Sequence, residues 1–151
     1  MSENDLTDNY RRLPTSEFAF PGPLRDRLVT AILEGRKVTT TSLALEYDIG
    51  REPLPYEGQR SVVVDSKNEP VCVIETVEVH VVPLGEVGYE HVVDEGEGHA
   101  TISAWRAGHE RYWQSEEMIN SLGNSRIFLD DTTLVVLERF RVIKRLRSSV
   151  D

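Results

Sequence analysis

Lys37 and Thr40 stand three residues apart in the run Gly35-Arg36-Lys37-Val38-Thr39-Thr40-Thr41-Ser42-Leu43. A threonine hydroxyl is a weak nucleophile, and a lysine whose pKa is lowered by burial or by a nearby cation can take its proton. In a regular strand, positions three apart face opposite sides. This chemistry therefore demands an irregular segment over 36–41. A second run, Asp94-Glu95-Gly96-Glu97-Gly98-His99, crowds like charges on a flexible backbone. Crowding raises carboxylate pKa values, and a carboxylic acid so raised can protonate a leaving group. Taken separately, the first run reads as a helix end passing into an edge strand and the second as a solvated acidic turn.

The remaining reactive side chains form no known constellation. The histidines are His80, His91, His99 and His109, and His109-Glu110-Arg111-Tyr112-Trp113 begins like a zinc-binding HExxH helix. Trp113 stands where the second histidine must be, so no metal site is expected. Cys72 lies among Val71, Val73 and Ile74, where an apolar setting makes a thiol inert. Gly-x-Ser-x-Gly and glycine-rich phosphate loops are both absent. Trp105 and Trp113, eight residues apart, read as core rather than as a base-stacking platform.

The elements that must position these groups follow from periodicity. Residues 1–16 lack apolar periodicity and are expected to form a mobile or loosely docked arm. Leu24, Leu28, Ile32 and Leu33 predict a helix over 23–34, opened by Pro23 and closed by Gly35. Residues 43–58 read as a long surface loop. The valine-rich segments 60–65 and 70–82, joined by Ser66-Lys67-Asn68-Glu69, predict a hairpin whose second strand is bent or bulged. Ile102, Trp105, His109 and Trp113 predict a helix over 101–119, with Ile102 and Trp105 packed inward and Arg106 and His109 near a cleft mouth. A last strand is expected over 132–145. Together these predict an α+β domain whose sheet of five or six mostly antiparallel strands curls into a small barrel with flanking helices.

The chain has 151 residues, the size of one domain, with 39% hydrophobic and 28% charged residues, which excludes a fibrous or disordered chain. Its apolar runs are too short to span a membrane, and its polar, acidic first ten residues differ from a secretory signal. With a single cysteine, a reducing cytoplasm is the expected setting. The net charge of −9 repels a phosphate backbone as a whole, so double-stranded DNA is not an expected partner. Five bases nevertheless fall within the last 13 residues: Arg139, Arg141, Lys144, Arg145 and Arg147. They read first as a solvated end strand protected from edge pairing, and second as a dock for RNA.

Four pieces in this order resemble the ASCH domain, a branch of the PUA-like superfamily. They are Glu34-Gly35-Arg36-Lys37-Val38-Thr39-Thr40, Glu95-Gly96-Glu97-Gly98, Ala104-Trp105-Arg106-Ala107-Gly108-His109 and Leu137-Glu138-Arg139-Phe140-Arg141-Val142. The resemblance places the domain at 17–146, between the N-terminal arm and a short tail at 147–151. It implies a compact barrel-like fold with a cleft beside the first helix, RNA-related roles, and in one bacterial branch deacetylation of N4-acetylcytidine. That branch implies Lys37, Thr40 and Glu97 as the catalytic group, with Glu95 as the alternative to Glu97. Ser42, Glu95, Arg106, His109 and Tyr112 are the implied substrate contacts, with no cofactor and no metal. Ser42 stands where the wider family often has arginine, and His99 where aspartate often follows the acidic turn. In the hydrolase reading Lys37 is the base, Thr40 the nucleophile and Glu97 the acid, acting on a nucleoside-like molecule. In the rival readings the domain binds single-stranded RNA through Lys37, Arg106 and the C-terminal arginines, with Tyr112 or Trp113 stacked on a base, or cleaves it as a ribonuclease.

Overall fold

The computed structural model describes residues 10–124 and 126–147. Five strands, β1 (Thr15–Ser16), β2 (Thr39–Leu43), β3 (Arg60–Val64), β4 (Pro70–Pro83) and β5 (Leu134–Arg145), form one sheet in the order β1-β3-β4-β5-β2. All pairings are antiparallel except β1 with β3. Register shifts between Val73 and Ile74 and between Thr76 and Glu78 bulge the long β4. Bulges bend a strand and strengthen its twist, which curls the sheet. β1 and β2 remain its two edges, so the expected barrel is a curled but open sheet.

Among the described residues five α-helices flank it: α1 (Pro23–Leu33), α2 (Ala44–Gly50), α3 (Tyr89–Asp94), α4 (Ile102–Trp113) and α5 (Glu116–Ser121). α1 starts at Pro23 and ends before Gly35, which takes φ +80°. Its buried Val29, Ile32 and Leu33 pack on Phe18, Val63, Val71, Cys72, Ile74 and Phe140. Burial pushes the Cys72 thiol up to about 12 and leaves it as core. A second cluster joins Leu43 and Val135 of the sheet to Val92, Trp105, Trp113 and Met118 of the other helices and to Leu122 just beyond the last of them. The segment leaving α1 leads into β2, and this is where Lys37 lies.

Three expectations are corrected by local capping and rotation. Within 43–58, α2 forms because Glu46 Oε2 accepts the Leu43 N–H at 2.7 Å, a cap that hydropathy does not reveal. The helix expected over 101–119 is two helices, since Ser115 turns extended and its hydroxyl caps α5 through Met118 N–H. Trp105 is fully buried as expected, but Ile102, in the first turn of α4, is 40% exposed and does not pack with it. Of the expected arm, residues 1–9 lie outside the described residues. Beyond them Val62 N–H donates to Pro14 O, and Tyr10 and Leu13 pack against Val62, Val64 and Val73. No described helix is long and apolar enough to cross a membrane.

Candidate functional site

Two backbone segments interlock to build the site. Val38 N–H donates to Asp94 O at 2.8 Å and Arg36 Nη1 to Gly96 O at 3.2 Å, so the exit of α1 is laced to the acidic turn after α3. Gly96 has φ +70°, and a Cβ there would sit 2.4 Å from Arg36 O and 2.7 Å from Lys37 N. Both atoms are backbone and cannot swing aside. Gly96→Ala is therefore expected to cost about 2–5 kcal/mol, strain and overpacking together. Gly98 shares the positive φ, but its Cβ would meet open space. Gly98→Ala should cost only the strain, about 1–2 kcal/mol. Urea unfolding of the two variants checks the difference, and equal midpoints would contradict the interlock.

The interlock buries Lys37 and Glu95, whose side chains are each 1% exposed. Lys37 Nζ donates to Thr39 O at 2.8 Å and stands 3.6 Å from Glu95 Oε1. Glu95 Oε2 accepts from Trp105 Nε1 at 2.6 Å and from Thr41 Oγ1 at 2.8 Å. A hydroxyl has one proton, so Thr41 accepts from His91 Nε2 at 2.7 Å. His109 Nε2 approaches Glu95 Oε1 at 3.2 Å, while its Nδ1 lies 3.0 Å from Trp105 O, and its ring lies against the indole with centroids 4.4 Å apart.

These contacts decide the charges. Burial opposes an ionised Glu95, but Lys37, His109 and His91 outweigh it and hold the carboxyl well below the ordinary range. Burial alone would lower His109; the hydrogen bond to Glu95 and the charges of Glu95 and Glu97 raise it instead. Both ring nitrogens face acceptors, which suits the imidazolium. Glu97 is pushed up, first by burial and then by the Glu95 carboxylate, against the pull of Lys37. One carboxyl of the pair is thus kept ionised and the other is biased toward the neutral acid.

A histidine raised on folding adds stability below its unfolded value, and that stability is lost as pH rises through the folded value. Denaturation followed upward from about pH 6 should show a declining limb that flattens in His109→Asn. An unchanged slope in the variant would contradict the ion pair.

Glu95, Glu97 and His109 bring ligand atoms within 4.8 Å of one another. Glu95 already faces three donors and a lysine ammonium, a setting that repels a metal cation. The trio is suited to holding and moving protons.

Beside this network opens a cavity of about 1260 Å³, lined by Lys37, Thr40, Ser42, Glu95, Glu97, His109 and Tyr112 among others. Of the segment 36–41 expected to be irregular, only Arg36 to Val38 is so, and from Thr39 the chain runs as regular strand paired with β5. That irregularity lets Lys37 and Thr40 line one cavity. Arg106 is the exception among the expected site residues: it does not line the cavity, because its guanidinium is taken by Glu110 at 2.9 Å and by Asp131. Sequence reasoning missed Thr41 and His91, which bind the Glu95 carboxylate. It also missed Glu46 and Tyr47, hidden in a segment read as loop. Thr41 stood in the quoted motif, and its strand alternation with Thr40 was the available signal.

A curled α+β sheet whose helix exit and acidic turn enclose a buried lysine and paired carboxyls defines a small domain with a cleft. The chain belongs to the ASCH domain family, whose model matches residues 17–144. It is similar to the crystal structure of protein EF3133 from Enterococcus faecalis V583, with 24% identity and a TM-score of 0.79 over 95% of this chain and 85% of that one. An ASCH domain from Lactobacillus crispatus is 25% identical, with a TM-score of 0.74 over 96% of this chain and 87% of that one. An ASCH protein variant from Zymomonas mobilis shares the fold at 11% identity and a TM-score of 0.52, over 88% of this chain and 71% of that one. No curated protein matches the chain.

Proposed function

We propose that this protein is a cytoplasmic amidohydrolase that removes the acyl group from an acylated nucleobase, N4-acetylcytidine being the model substrate. The observation that carries the reading is that Lys37, Thr40 and Glu97 line one cavity, with Glu97 biased toward its neutral form. Thr40 has no side-chain hydrogen-bond partner among the described residues, and its hydroxyl attacks the acyl carbon. Lys37 rests against Glu95 and, as the free amine with its proton released to solvent through the cavity, accepts the Thr40 proton. The C–N bond breaks, Glu97 protonates the departing amine, and water then releases the acyl group from Thr40 as a carboxylic acid.

The arginines proposed for RNA are largely engaged by acids, which favours a small substrate. Arg139 binds Asp94 at 2.6 Å, Arg141 binds Glu75 at 2.9 Å, and Arg147 is paired with Asp65.

The test is incubation with N4-acetylcytidine and, in parallel, with mixed single-stranded RNA, following acetate, cytidine and strand length. Acetate and cytidine are expected, with intact RNA. Thr40→Val should abolish deacylation while leaving folding intact. Lys37→Arg should also fail, because arginine cannot serve as a base at neutral pH. Retained activity in Thr40→Val would replace the threonine by a water nucleophile. RNA cleavage without acetate would overturn the amide reading.

A further inference from the structure

The cavity is charged against phosphate. Seven carboxyl side chains line it, against Arg27, Arg36 and Lys37. Lys37 is spent on Thr39 O and Glu95, and Arg36 on Glu34 and Gly96 O. Of the cationic groups, His109 is likewise paired with Glu95, so a phosphate group entering here would meet the exposed Arg27 against a surplus of carboxyls.

One wall carries acceptors that the proposed reaction does not use. Glu138 on β5 is the direct cross-strand neighbour of Thr40, and its Oε2 accepts the Thr76 hydroxyl at 2.6 Å. Glu46 on α2 spends Oε2 on the Leu43 N–H. The second oxygen of each carboxyl has no protein donor among the described residues. Ser42 Oγ and Tyr47 O–H, which also line the cavity, are satisfied by each other at 2.9 Å. Burial pushes Glu46, Glu138 and Tyr47 up, and the charges of Glu138 and Glu46 add to the rise of Tyr47, so the groups share one partly desolvated environment. Burial and the charge of Glu46 likewise push the Tyr112 phenol up to about 12. Unused acceptors in such a place reward a ligand that brings N–H or O–H donors and penalise one that brings negative charge.

We infer that Glu138 and Glu46 are specificity residues which accept hydrogen bonds from an uncharged, amino-bearing base or nucleoside and exclude its phosphorylated form. The inference rests on the nucleobase reading for the class of ligand and is independent of any catalytic step. Cytosine has an exocyclic amine and cytidine adds ribose hydroxyls, and both are donors that this wall lacks. The 5′-monophosphate differs from cytidine only in the charge that the wall opposes.

Calorimetric titration of the full chain with cytosine, cytidine and cytidine 5′-monophosphate tests this directly. Cytosine or cytidine should bind, and the monophosphate should bind at least about tenfold more weakly. Glu138→Gln keeps the shape and an acceptor for Thr76, and should weaken cytidine binding by about tenfold with an unchanged melting temperature. Glu46→Gln should act in the same direction and serves as the second variant if Glu138→Gln fails to fold. A monophosphate that binds as well as cytidine overturns the inference and leaves amide hydrolysis standing. Two Gln variants that bind like the parent overturn it too, as does a series in which nothing binds. Selective cytidine binding without acetate release from N4-acetylcytidine sinks the hydrolase reading and supports the inference.

Discussion

Glu95→Gln is expected to destabilise the protein by about 3–5 kcal/mol, the cost of leaving a buried charge without its partner. The carboxylate is 1% exposed and serves Trp105, Thr41, His91, His109 and Lys37 at once. A glutamine amide occupies the same volume but supplies one oxygen and two N–H donors. The amide nitrogen must then face either the Trp105 and Thr41 donors or the Lys37 ammonium. The loss should be largest near neutral pH and shrink in acid. Glu95 is held well below the ordinary carboxylate value, so its stabilisation is present above that value and disappears as pH falls through the folded one. Urea unfolding of parent and variant at matched pH values measures both the size and the trend. A loss below about 1 kcal/mol at neutral pH would mean that the pair is no stronger than an exposed one.

Glu97→Gln is expected to act on turnover instead. Removing a general acid should lower kcat for deacylation by about 10²–10⁴-fold with KM little changed. Its effect on folding runs the other way. Glu97 is raised on folding by burial and by Glu95, so its ionisation costs stability as pH rises through the raised value. The glutamine variant escapes that cost and should become the more stable of the two toward alkaline pH. Rate and denaturation measured on the same preparations separate a proton donor from a merely structural residue. Unchanged kcat would remove Glu97 from the acid role and overturn the proposed mechanism.

The elements that sequence made legible are those with strong local signals. α1 lies between Pro23 and Gly35, as its apolar spacing and both of its end signals indicated. The β3–β4 hairpin follows from two valine-rich runs and a turn cluster. α2 was invisible because a side-chain cap, not apolar periodicity, holds a seven-residue helix in which nothing is buried. The break between α4 and α5 was missed for a related reason: Ser115 competes for the helix N–H groups, and helical periodicity continues on either side of it.

The site divides along the same line. Lys37, Thr40 and the two glutamates could be picked out from residue type, spacing and order along the chain. Sequence by itself also determined the size, the acidic balance and the kinship to the ASCH family. Which glutamate meets which base was decided only by tertiary structure. Gly96 lets the backbone of the acidic turn rest on Arg36 and Lys37, and this contact aims Glu95 into the core and leaves Glu97 half-buried beside the cavity. Two chemically identical side chains thereby acquire opposite shifts, because pKa depends on burial and on neighbouring charge. Both are properties of three-dimensional packing between segments about 60 residues apart, which local sequence pattern does not encode.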